Sequence, residues 1–392
     1  MKVIVMFNRR VIIWLGLLLG IISEQSGADT WYVEKDGSGD FVTIHEAMIA
    51  CSAGDTIMIG PGRYDDFHTL TAPAWTTEAI VGITKDNLTF IGSGDTTTII
   101  GPTEMYLPGS VPEPMAIASV EDISSKFVDV GIENAYSGLY WGYGRIEIEG
   151  CKFDGYVYGT LLYNEEGAEI IGSEFYSEES LSVGIITSSP CGPVTISGCS
   201  FGGAGTNEQG IGVNGTDDVS IQNCHFYSKY AVAYSGSSGS IENCTTTEAV
   251  SQSVWANNAS QVDINGNQFH GTYASIYVNG WSVVNGSGNI FSGGEDLATI
   301  YITSQSQVTL NGNDILKSGD YAAKIGQYFY ELVTNDLTNN YWGTSDPDSI
   351  AAWIWDYNDD PVTRSYIDFI PFSDIPLPTE KKSLGDVKAM FR

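Results

Sequence analysis

Hydrolysis of a glycosidic bond needs little more than two carboxyl groups held roughly 5 to 9 Å apart, one to give a proton and one to act as base or nucleophile. The chain supplies carboxylates freely, with 48 Asp and Glu among 392 residues against 17 Lys and Arg. Spacing singles out Glu147 and Glu169, which lie 22 residues apart in matching settings, Ile146-Glu147-Ile148 and Ala168-Glu169-Ile170, with Glu149 two residues along. On adjacent strands of a stack these carboxylates crowd one face, a condition that raises a carboxyl pKa, as a general acid requires, or binds Ca²⁺. A merely solvated acidic face gives the same pattern.

A second set has the chemistry of recognition. Trp255, Tyr277 and Tyr301 recur at steps of 22 and 24 residues, each between apolar neighbours that point the other way. Rings repeated along a rigid ladder offer apolar faces to sugar rings while an indole N–H or a hydroxyl stays wet. Packing of the rings on one another beneath a loop is the competing reading.

What is missing is as informative. Between Lys152 and Lys317 the only Lys or Arg is Lys229, so a uronate lyase, which uses Lys or Arg for proton abstraction or charge neutralisation, is not expected. A formal net charge of -31 repels nucleic acid, anionic membranes and polyanionic sugars, unless a cation such as Ca²⁺ bridges the like charges. Neutral glycans remain. Cys224-His225 forms no metal motif, because His45, His68 and His270 lack ligand spacing with it. No cofactor other than such a Ca²⁺ is called for.

The elements that must hold these residues come from a repeat. From about residue 146 one phrase recurs: an apolar, a variable and an apolar residue, then Gly or Asn, a small residue, and an aromatic two further on. Its Gly or Asn falls at Gly150, Gly172, Gly198, Asn223, Asn243 and Gly266, steps of 20 to 26 residues. Units this short cannot bury a core alone and must stack. Stacked, they form a parallel β-helix, with apolar residues inside and equivalent residues about 4.8 Å apart. A leucine-rich repeat fits less well, since the inward slots are Val, Ile and Phe and no helical half follows. Cys151, Ser173, Cys199, Cys224 and Cys244 share one inward slot, which reads as packing rather than disulfides.

A second strand is expected in most coils, at 161–164, 185–187, 211–214, 232–235, 254–257, 276–279 and 300–303. Its closing residues Asn214, Ser235, Asn257, Asn279 and Thr303 are placed for a side-chain ladder or for ordinary turns. Asp217 and Asp218 read as turn residues. An amphipathic helix over 41–51 is placed to cap the first coil, and a helix over 350–355 with an extended 366–372 to close the last. Residues 1–28 have the basic, apolar and small-residue order of a cleaved secretory signal, residues 29–372 form the β-helix, and 373–392 read as a linker and tail.

The opening, Asp36-Gly-Ser-Gly-Asp-Phe-Val-Thr-Ile44 followed by Glu46-Ala47, Gly54-Asp-Thr-Ile57 and Gly60-Pro-Gly-Arg-Tyr64, resembles pectinesterase-type members of the pectate-lyase-like superfamily. Asn339-Asn-Tyr-Trp-Gly343 resembles the closing segment of secreted β-helix proteins. The resemblance implies a right-handed parallel β-helix with an N-terminal helical cap. Pectinesterase activity is not implied, because Gln-Asp-Thr, Asp-Phe-Ile-Phe-Gly and Gly-Arg-Pro-Trp are absent, and polygalacturonase motifs are reduced to Thr216-Asp217-Asp218. The expectation is a secreted monomer that engages an extracellular polysaccharide through Trp255, Tyr277 and Tyr301 and hydrolyses it, if at all, with Glu147 and Glu169. The alternative is a non-catalytic structural or adhesive cell-surface rod.

Overall fold

The computed structural model describes residues 28–71, 76–105, 114–119, 121–163, 166–203, 208–247, 250–327 and 329–378. The expected secretory signal, apart from its last residue, and most of the expected tail lie outside them.

A complete coil gives one strand to each of three sheets. Ile146–Glu149, Lys152–Asp154 and Tyr158–Leu162 make one coil, and Ala168–Ile171 begins the next by pairing with Ile146–Glu149. Among the described residues the first sheet has 14 strands, the second 11 and the third 13. Coil-to-coil pairing is parallel throughout, as in a right-handed parallel β-helix. The antiparallel exception is the hairpin of His68–Thr71 with Thr76–Ile83 at the N-terminal end of the third sheet.

The bend from the first sheet to the second explains the Gly or Asn of the repeat. Gly150, Gly172, Asn223 and Asn243 there have φ of 61°, 57°, 54° and 53°, a left-handed conformation in which only Gly, Asn and Asp are at ease. The next residue points inward, and here Cys151, Ser173, Cys199, Cys224 and Cys244 form one buried column in which the cysteines are not disulfide-bonded. The column continues as amides. Asn267 Nδ2 donates to Asn289 Oδ1 at 2.9 Å, Asn289 to Asn313 at 2.9 Å, and Asn313 to Asn340 at 3.0 Å. Phenylalanines stack in the coils of the cysteine column, Phe153 on Phe175 at 4.6 Å and Phe201 on Phe226 at 5.0 Å between centroids.

The amide ladder therefore stands one turn away from the column ending the third-sheet strands. There Asn279 accepts from Trp255 Nε1, Ser235 accepts from Asn258 and Thr303 donates to the Gln327 carbonyl. The reason is solvation: an amide in the dry interior must pair with its own kind, whereas one at the rim has other partners. A second ladder runs where the third sheet returns to the first, each backbone N–H of Thr216, Ser237, Ser260 and Ser282 donating to the hydroxyl one coil on.

Several boundaries differ from expectation. Helix α1 spans Ile44–Ala50 rather than 41–51, because Phe41 bridges to Val33 and Thr43 is the N-cap of a capping box with Glu46. Helix α2 spans Pro347–Ala352, opened by Asp346 and Pro347, and Ile354–Trp355 is extended and pairs with Ala323–Lys324. The first of the expected second strands is displaced: Tyr158–Leu162 sets Thr160, not Leu161, opposite Ile185, which lets Leu162 fill the inward slot. Past the closing strand Ser365–Asp368, the chain runs back along the coils, with the Leu377 N–H on Asp314 Oδ1 at 2.9 Å.

Candidate functional site

The carboxylate pair belongs to the first sheet. Glu147 and Glu169 are register partners on adjacent strands, their side chains outward and partly exposed. Arg145, in the bend before Glu147, lies between them, with Nε 3.4 Å from Glu147 and Nη2 3.0 Å from Glu169. Lys126 sits opposite Glu147 on the preceding strand, 2.8 Å from Glu149 and 3.9 Å from Glu147. Its hydrogen bond to Glu149 is the main cause of a raised ammonium pKa. Three carboxylates thus share two cations beside a groove of about 310 Å³. Both members of the pair lean on one guanidinium, and Glu147 has Lys126 beside it as well.

The aromatic set belongs to the third sheet. Trp255, Tyr277 and Tyr301 are register partners on three consecutive coils. Tyr277 and Tyr301 stack at 5.2 Å with planes 11° apart, and Trp255 meets Tyr277 at 6.1 Å and 37°. Each tyrosine therefore covers a face of the other. Trp255 is 36% exposed, its indole N–H held 3.3 Å from Asn279 Oδ1. Burial raises the Tyr277 phenol pKa, as does neighbouring Tyr273. The column goes on where sequence reading stopped: Lys324 pairs with Tyr301 and Trp355 with Lys324, and Lys324 Nζ lies 4.9 Å from the Tyr321 ring centre. The signal was present in Ala323-Lys324-Ile325, 23 residues after the Tyr301 triplet. The structure does not bring the two expected sets together, since they face outward from different sheets.

Other candidates resolve locally. Asp218 has the left-handed φ of 60° of a turn, and Asp217 accepts from Ser238 at 2.8 Å. An open groove of about 460 Å³ crosses the first sheet at Gly239, between Asp218 and Asp263, where Asp263 accepts from Asn285. His225 and His270 bond their register partners Thr245 and Ser292. Among the described residues no three His, Cys, Asp or Glu side chains gather as for a metal ion. No described helix is long and apolar enough to cross a membrane.

One carboxyl escaped sequence reading. Glu208 begins the coil's approach to the third sheet, is only 4% exposed, and has its pKa pushed up to about 7 by burial. It fits because position 203 is Gly, where a Cβ would fall 2.1 Å from Glu208 Oε1. Gly202 likewise leaves room for the Tyr227 ring. Nothing in the repeat marks a residue buried by a neighbour's missing side chain.

The family described as a right-handed β-helix region matches residues 116–235 and 230–343, more than half the chain. The chain belongs to that family. Among solved structures, this β-helix is similar to pectin methylesterase from carrot, with 16% identity over 72% of this chain and 83% of that one and a TM-score of 0.39. It is also similar to ORF18 of Geobacillus virus E2, with 17% identity over 67% and 65% of the two chains and a TM-score of 0.34. No curated protein matches its sequence.

Proposed function

We propose that this β-helix is a secreted protein that holds an extracellular polysaccharide along the aromatic column of its third sheet. The observation that carries this reading is Trp255: a 36% exposed indole at the end of an ordered stack, fixed by its own hydrogen bond. A rigid apolar plane with polar neighbours is what a sugar ring needs, since the ring buries its C–H face and keeps its hydroxyls bonded. The secretory pattern of residues 1–28 supports delivery outside the cell, and the pectinesterase-like opening is read as capping architecture.

Cleavage by Glu147 and Glu169 is the finer question. Their shared Arg145 and their place on the first sheet favour the non-catalytic alternative, a binding or adhesive rod. A screen of the mature protein on neutral and acidic polysaccharides, with and without Ca²⁺, tests both readings. Retention lost in Trp255→Ala supports binding at the column, and retention unchanged removes it. Reducing ends released by wild type but not by Glu147→Gln or Glu169→Gln would make the chain a hydrolase.

A further inference from the structure

Trp255 has unequal neighbours. On one side Tyr277 packs against it, and on the other its register partner is Ala233, whose single methyl cannot cover an indole. Beyond Ala233 the column holds Gly212, and the Gln209 side chain arches over that glycine, its Nε2 3.0 Å from the Ile211 carbonyl and 3.1 Å from where a Cβ would stand. The outward column is therefore interrupted by one notch, walled by the indole and by a carboxamide two coils away. At about 4.8 Å per coil the walls stand roughly 10 Å apart, room for one sugar ring in contact with both.

The rims are polar, with one cation, Lys229, beside them. Tyr230 and Gln252 flank the notch on one side and Ser235 and Asn257 on the other. Ser235 Oγ already accepts from Asn258 at 2.8 Å, which leaves its own hydrogen to give. Gln252 Oε1 is buried with no hydrogen-bond partner among the described residues, so it is closed to the notch as it stands. No carboxylate stands at these register positions, and the nearest cation in sequence, Lys229, has its Nζ 5.5 Å from the Tyr230 ring centre. A uronate would find one lysine and no arginine fork here, and the net charge of -31 opposes its approach.

We infer that the notch over Ala233 is a subsite for one neutral pyranose residue of the bound polysaccharide, stacked on Trp255 and hydrogen-bonded by the Ser235 and Gln209 side chains. This rests on the third-sheet reading above and adds to it a position and a sugar class.

Affinity electrophoresis of the full chain through gels carrying hydroxyethylcellulose, galactomannan or polygalacturonate tests it, with Ala233→Phe to fill the notch and Ala233→Ser to leave it open. Ala233→Leu serves as a second filler should Ala233→Phe lower the melting temperature. The expected result is retardation of wild type and Ala233→Ser by a neutral polysaccharide, weakened about tenfold or more in the filled variants. Equal retardation of wild type and filled variants overturns the subsite and leaves third-sheet binding standing. Retardation by polygalacturonate alone overturns the neutral class, and retardation by none of the three overturns subsite and underlying reading together.

Discussion

Glu208 shows how a single carboxyl records its surroundings. Burial raises its pKa to about 7, so the folded state favours the protonated form. The associated stability is fully present below the unfolded pKa, near 4.5, and is lost as pH rises through about 7. Glu208→Gln removes this dependence. Denaturant melts are expected to coincide near pH 4 and to favour the variant by roughly 2–3 kcal/mol at pH 8; parallel profiles would count against a neutral carboxyl. Cysteines give a second check at this scale. Five of the six are buried, with the Cys151 thiol pushed up to about 12 by burial, and Cys191 is the partly exposed one. Iodoacetamide at pH 8 should label one site per native chain, and mass mapping should place it at Cys191.

At the scale of the coil, the repeat was readable because its slots impose different physical demands. The bend needs positive φ, the next slot needs a small or self-pairing side chain, and the aromatic slot needs a ring that stacks. Where a slot is filled differently the coil was lost to reading. The strand Ser125–Val128 went unseen because Asp129, with φ of 53°, takes the place that Gly150 has in the next coil. With that strand went Lys126, and so the ion pairs that bind Glu147 and Glu149 were not anticipated. Glu208 was hidden for another reason, since its burial depends on Gly203, a contact no periodicity encodes. The interior ladder should be costly to break. Asn289→Ala leaves the Asn267 amide and the Ile264 carbonyl without their partner and is expected to cost about 2–4 kcal/mol. Phe201→Ala, which removes a ring stacked on both sides, should cost about 3–5 kcal/mol. Equilibrium unfolding measures both, and a loss below about 1 kcal/mol in either would contradict the packing described.

Across the whole molecule, one stack of coils presents two chemically distinct outward faces. The first sheet carries carboxylates held by Lys126 and Arg145, and the third carries aromatic rings bordered by amides and hydroxyls. The fold was legible because it follows from the period, and the caps were legible in place but not in their bounds, which capping residues set. The separation of the faces was not, because it depends on how three strands per coil divide around the axis. That separation is the ground on which we propose recognition on the third sheet, away from the ion pairs of the first. The most direct test is co-sedimentation of residues 29–392 and of their Trp255→Ala/Tyr277→Ala variant with a panel of insoluble neutral polysaccharides. Binding by wild type that is lost in the double variant, with the melting temperature maintained, is the expected result. Equal sedimentation of the two proteins, or of neither, would contradict the account.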